Sequence, residues 1–116
     1  MAELFTISTL GAVQVVQLEL PETLDIGEFD QLNDSLATLL TARPNGSWVF
    51  DLSVLAYAGS SVLGLLVNIR QRVKLAGGRL VLCGLSEGLL QTFRTCSLER
   101  LFIIRRSREE AVERAR

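Results

Sequence analysis

The chain has no histidine at all, and only two cysteines, two prolines, one tryptophan and one tyrosine among its 116 residues. Each scarcity excludes something. Without histidine the commonest general base is gone, and with it any Ser–His or Cys–His nucleophile pair. Two cysteines and no histidine do not complete a zinc site of the usual kind. Cys83, in the run LVLCG, and Cys96, near the end of an amphipathic stretch, read as small buried hydrophobes of a reducing compartment. Two prolines against 48% apolar residues rule out a disordered or linker chain. The densest apolar run, VLGLLV at 62–67, falls far short of the roughly 20 residues that cross a bilayer. MAELFTIS carries an acid and no basic lead-in, so no secretory leader is expected. The expectation is one cytoplasmic domain over residues 1–116, with no cofactor, no metal and no membrane insertion.

Charge of either sign is modest overall but unevenly placed. Residues 1–51 hold eight acids against one base, −7, and residues 52–116 hold eleven bases against five acids, +6, which together give the net −1. In an interleaved fold the two halves are expected to mix in space. No Lys/Arg run interleaved with aromatics is present, so direct nucleic-acid binding is not expected.

What is there is hydrophobic pattern. Leu4–Ser8 and Val13–Leu20 flank Gly11-Ala12 as a hairpin would, and Pro21 ends the second strand because it lacks a backbone donor. From Phe29, Leu32, Leu36, Leu39 and Leu40 fall on one helical face. ARPNGS (42–47) is turn chemistry, and Trp48–Leu52 reads as a short buried strand. Val62 to Ala76 returns to helical spacing with Val62, Leu66, Ile69 and Val73 as its stripe, and Gly77-Gly78 stops it. Leu80–Cys83 is the next strand. Ser86-Glu87 opens a third helix with Leu89, Leu90 and Phe93 inward, Leu101–Ile104 makes a last strand, and Ser107 to Glu110 fits a capping box before a last helix. The order ββαβαβαβα predicts a single α/β domain. Its mostly parallel mixed sheet is opened by a β-hairpin, with about four helices on right-handed crossovers.

One stretch carries chemistry: AGSSVLG at 58–64, two hydroxyls between apolar segments at a strand–loop–helix turn. Ser60 or Ser61 caps the helix that follows, worth about 1 kcal/mol, or one of them is held out for modification. The two roles are compatible. A phosphate there would add about −1.5 to −2 charges beside the positive end of a helix dipole, which the domain tolerates and a covering partner would not. Leu63 and Leu65 lie off the buried stripe and suit either core or a partner contact. Gly64 costs the helix about 1 kcal/mol against alanine, which predicts close approach of a neighbouring element. Asp25 and Asp51 read as turn or cap residues, and Gly77-Gly78 lacks the surroundings of a phosphate loop. An enzyme finds no support.

The stretches DLSVLAYAGSSVLGLLV (51–67), AGGRLVLCGLSEGLLQTF (76–93) and SLERLFIIRRSREEAV (97–112) resemble the STAS domain of anti-sigma-factor antagonists. The resemblance spans nearly the whole chain. It implies a protein that binds an anti-sigma factor which is also a serine kinase, is released by phosphorylation of one serine, and is restored by a serine phosphatase. Matched to the family's D-S-S/T-G-L-G motif, the acceptor is Ser60, with Ser61 as the fallback and Leu63-Gly64 as the L-G pair. The implied partner surface comprises Asp25, Gly59, Ser60, Ser61, Val62, Leu63 and Gly64, on a monomer or weak dimer. Gly59 stands where the motif has aspartate, Val62 where it has glycine, and Glu22 where an early G-x-L/I-D stretch has glycine. Gly59 and Val62 favour a second reading, a STAS scaffold without a serine switch. Examples are a subunit of a stressosome-like assembly or of a lipid-transport ATPase complex.

Overall fold

The computed structural model describes residues 4–21 and 24–116. The departure at Glu22 and the leader reading of residues 1–3 lie outside the described residues. Five strands, β1 (Phe5–Leu10), β2 (Val13–Leu18), β3 (Ser47–Asp51), β4 (Arg79–Cys83) and β5 (Ile103–Arg105), form one sheet in the order β1-β2-β3-β4-β5. β1 and β2 are antiparallel, and every later pair is parallel. The helices are α1 (Ile26–Thr41), α2 (Ser60–Leu75), α3 (Glu87–Thr95) and α4 (Arg108–Ala115), with a 3-10 turn at Leu98–Arg100. The expected α/β order is the observed one.

Alternation along the strands divides the core. Val16, Leu18, Trp48, Phe50 and Leu82 point to one face, where they meet the buried residues of α1, α2 and α3. Val13, Val15, Val49, Val81 and Cys83 point to the other, where α4 covers them with Ala111, Val112 and Ala115. Strands buried on both faces read as continuous apolar runs, which is why VQVVQL and SWVFD alternate so weakly. The helical stripe on α2 is buried as expected, and Leu65 joins it in the core.

Gly11 and Gly77 take conformations that a side chain would resist. Gly11 turns the β1–β2 hairpin at φ +64°, and Gly77 ends α2 at φ +75°. Several local expectations differ from the structure. α1 starts at Ile26 and not Phe29, because Asp25 caps it and its exposed first turn carries no apolar period. β5 begins two residues later than the apolar run suggests, since Leu101 closes the 3-10 turn and pairing with β4 starts at Ile103. The box at Ser107 is half formed: Ser107 Oγ accepts from the Glu110 amide at 3.1 Å, while the Glu110 carboxylate takes the Ser107 hydroxyl at 3.4 Å. Cys83 is buried as expected, but Cys96, at the carboxyl end of α3, is exposed. The two charged halves meet in space, as expected. α4, from the basic half, lies across β2 and β3 of the acidic half, and its Arg108 pairs with Asp51.

Candidate functional site at the amino end of the second parallel crossover helix

Parallel strands direct the loops that follow them to one end of the sheet, so the segments entering α1, α2 and α3 converge there. The 52–59 loop after β3 is pinned from below. Leu52, Leu55 and Ala58 are buried. The Leu52 amide donates to the Cys83 carbonyl at 2.9 Å, and the Leu55 amide donates to the Leu52 carbonyl at 3.0 Å. The Ser86 hydroxyl at the start of α3 donates to the Ala56 carbonyl at 3.3 Å. Between these anchors Val54 and Tyr57 stand outward, 54% and 51% exposed.

Gly59 is the N-cap of α2, in extended conformation, and no side chain among the described residues caps the helix. This corrects the capping role expected of the serines: both lie inside the first turn, one and two residues beyond the position from which a hydroxyl reaches the free amides. Ser60 is exposed. Ser61 is half-buried, and its Oγ accepts from the Leu24 amide at 3.3 Å, tying α2 to the segment that enters α1. Val62 is fully buried in the main core, so its branched side chain fills the domain and presents no bulk to a visitor. Leu63 is half-buried against the same core, and Gly64 is exposed. A Cβ built on Gly64 would meet nothing within 4 Å among the described residues, so none of the described elements makes the close approach its presence suggested.

Asp25 acts as a cap. Its Oδ1 accepts from the Glu28 amide at 2.7 Å, and the Glu28 carboxylate accepts from the Asp25 amide at 3.2 Å. The next residue, Ile26, is 82% exposed. The structure thus brings Asp25, Ser60 and Ser61 to one end of the sheet, linked through Leu24, with Gly59 and Val62 beneath. Sequence reasoning did not single out Ile26, Val54 and Tyr57. The available signal was that all three fall outside the helical stripes and strand runs.

Asp51, at the end of β3, supports this end from below. Its Oδ1 accepts from the Ser53 amide at 2.9 Å, and its Oδ2 takes the Arg108 guanidinium at 3.0 Å from Nε and 2.9 Å from Nη2. Arg108 Nη2 also donates to Gln17 Oε1 at 2.8 Å. Burial pushes the Asp51 carboxyl up, but the Ser53 hydrogen bonds and the Arg108 charge outweigh it and leave it below its ordinary value. Burial, and then the Asp51 charge, push the neighbouring Cys83 thiol up to about 12, so it stays protonated and unreactive. Among the described residues no group of three His, Cys, Asp or Glu is placed to hold a metal ion. No helix among them is long and apolar enough to cross a membrane.

A five-stranded mixed sheet opened by a hairpin and covered by four helices is the architecture of the STAS domain. The model of that family matches residues 6–111, and the chain belongs to it. Its fold is similar to an anti-sigma-factor antagonist (STAS) domain protein from Planctomyces limnophilus, at 19% identity and TM-score 0.80 over 96% of this chain and 97% of that one. It is also similar to a serine-to-glutamate form of RsbS from Moorella thermoacetica, at 24% identity and TM-score 0.79 over 96% and 93%. The Bacillus cell fate determinant SpoIIAA in its phosphorylated form matches at 20% identity and TM-score 0.68 over 97% and 99%. At these identities the likeness establishes the fold.

Proposed function

We propose that this protein is an anti-sigma-factor antagonist, a binding module that docks a serine-kinase-type anti-sigma factor over the amino end of α2. Phosphorylation of Ser60 would switch it, and a serine phosphatase would restore it. The observation that carries this reading is the exposed Ser60 hydroxyl in the first turn of α2, on the same end of the sheet as the outward Ile26, Val54 and Tyr57. Apolar side chains of that exposure suit the water-excluding centre of an interface. A phosphate on Ser60 would sit at the positive end of a 16-residue helix, so the domain tolerates it. A partner covering the same surface would meet a desolvated dianion, and the complex would open without refolding of the domain.

A scaffold without a switch is the second reading, and Gly59 favours it: the helix start offers no carboxylate beside the acceptor. One experiment separates the two. Incubation with a candidate kinase-type anti-sigma factor and ATP, followed by peptide mass mapping, is expected to place one phosphate on Ser60. Ser60→Ala should take none there and still bind. Protein that binds the kinase and stays unmodified, in the native form and as Gly59→Asp, would establish the scaffold instead.

A further inference from the structure

A cavity of about 320 Å³ opens at the other end of α2, between its last turns, the start of β4 and the segment leading into β5. Its α2 lining, Arg70 to Lys74, lies roughly 15 to 21 Å along the helix from Ser60, at about 1.5 Å of rise per residue. We propose that this cavity binds a small amphiphilic anion, a carboxylate on a hydrocarbon body of up to about eight carbons.

Charge of one sign meets an apolar floor there. Val73, Leu80 and Phe102 line the cavity from the main core, and Leu101, 40% exposed, stands at its rim. Arg70 and Lys74, four residues apart on one helical face, line the α2 side. Arg70 Nε donates to the Leu101 carbonyl, which holds the guanidinium at the cavity and leaves its terminal nitrogens available to a ligand. Neither Arg70 nor Lys74 takes part in an ion pair among the described residues, and no acid lines the cavity. Glu99, the nearest acid along the chain to Leu101, is paired with Arg94. Arg79 also borders the space, but its Nη1 donates to the Arg116 carbonyl at 2.8 Å, which draws its head toward the end of α4.

Cations near a helix carboxyl end answer the helix dipole, and Arg72 and Lys74 both lie in the last turn of α2. Arg72 stands outside the cavity, so it serves the dipole alone and provides the control. A neutral apolar ligand would leave the two cations unanswered, and a bare inorganic anion would leave the apolar floor unused. About ten ligand atoms fill the volume at roughly 30 Å³ each, which a single short chain supplies and a two-chain lipid exceeds.

The test is a titration of the isotope-labelled protein with octanoate, read from backbone amide shifts. Saturable shifts at Arg70, Lys74, Leu80 and Phe102 are expected, with a Kd of about 1 mM or tighter and Ser60 undisturbed. Lys74→Gln should weaken binding roughly fivefold, and Arg70→Gln at least as much, while Arg72→Gln leaves it unchanged. Acetate and octylamine should fail to saturate. Shifts that do not saturate, that spread away from the cavity, or that fall equally in Lys74→Gln and Arg72→Gln would overturn the proposal.

Discussion

Gly64 is the residue whose cost is not repaid inside the domain. It sits one turn into α2, exposed, with open space where a side chain would begin. Glycine in a helix interior loses about 1 kcal/mol to alanine, and the usual compensation, a neighbouring backbone packed close, is absent among the described residues. A partner lying against the bare helix would supply it. Gly64→Ala should therefore raise stability by up to about 1 kcal/mol in thermal denaturation while weakening the proposed complex with an anti-sigma factor. A more stable variant with undiminished affinity would move the docking surface off this face of α2. The two serines beside it differ in the same way. Ser61 is occupied by the Leu24 amide, whereas Ser60 is exposed, which separates a structural hydroxyl from an available one.

At the scale of elements, Asp51 and Arg108 join the end of β3 to the first residue of α4. Asp51 is lowered in the folded domain, so on acidification the unfolded chain takes up this proton first. The stabilisation is whole above the ordinary value of 3.8 and is lost as pH falls through the lower folded value. Arg108→Gln leaves a nearly buried carboxylate without its cation. Because Arg108 itself is partly exposed, the loss should be about 2 kcal/mol at pH 7, below the range for fully buried pairs. Urea denaturation should also show a smaller stability difference between pH 7 and about pH 3 than in the native protein. This pair was not legible in the sequence, because 57 residues separate its members and no periodicity links them. The helical stripes of α1 and α2 were legible, since Leu32, Leu36 and Leu40, and Val62, Leu66, Ile69 and Val73, repeat at helical spacing. Positions set by one hydrogen bond or one register were not. The N-cap fell on Gly59 and not on a serine, α1 gained an exposed first turn, and β5 shifted past Leu101.

For the whole molecule, the decisive fact is that the strands lie side by side in the order they are made. Right-handed crossovers between successive parallel strands place α1, α2 and α3 on the same face. The number and order of elements follow from the sequence pattern, but local periodicity carries no information on which strands neighbour which, so this order could not be read from it. The remaining face is closed by α4, eight residues long, over Val13, Val15, Val49 and Val81. Deletion of residues 107–116 should uncover that valine layer and leave Asp51 without Arg108. The shortened protein is expected to bind a hydrophobic dye and to elute as aggregates in size-exclusion chromatography. A monomeric, dye-silent deletion variant would mean that the valine face is stable in water. There is a consequence for the chain as it leaves the ribosome. All five strands emerge before the segment that seals their second face, so each nascent molecule passes through an interval with a finished helical side and a bare valine side. In that interval a chaperone has something to hold.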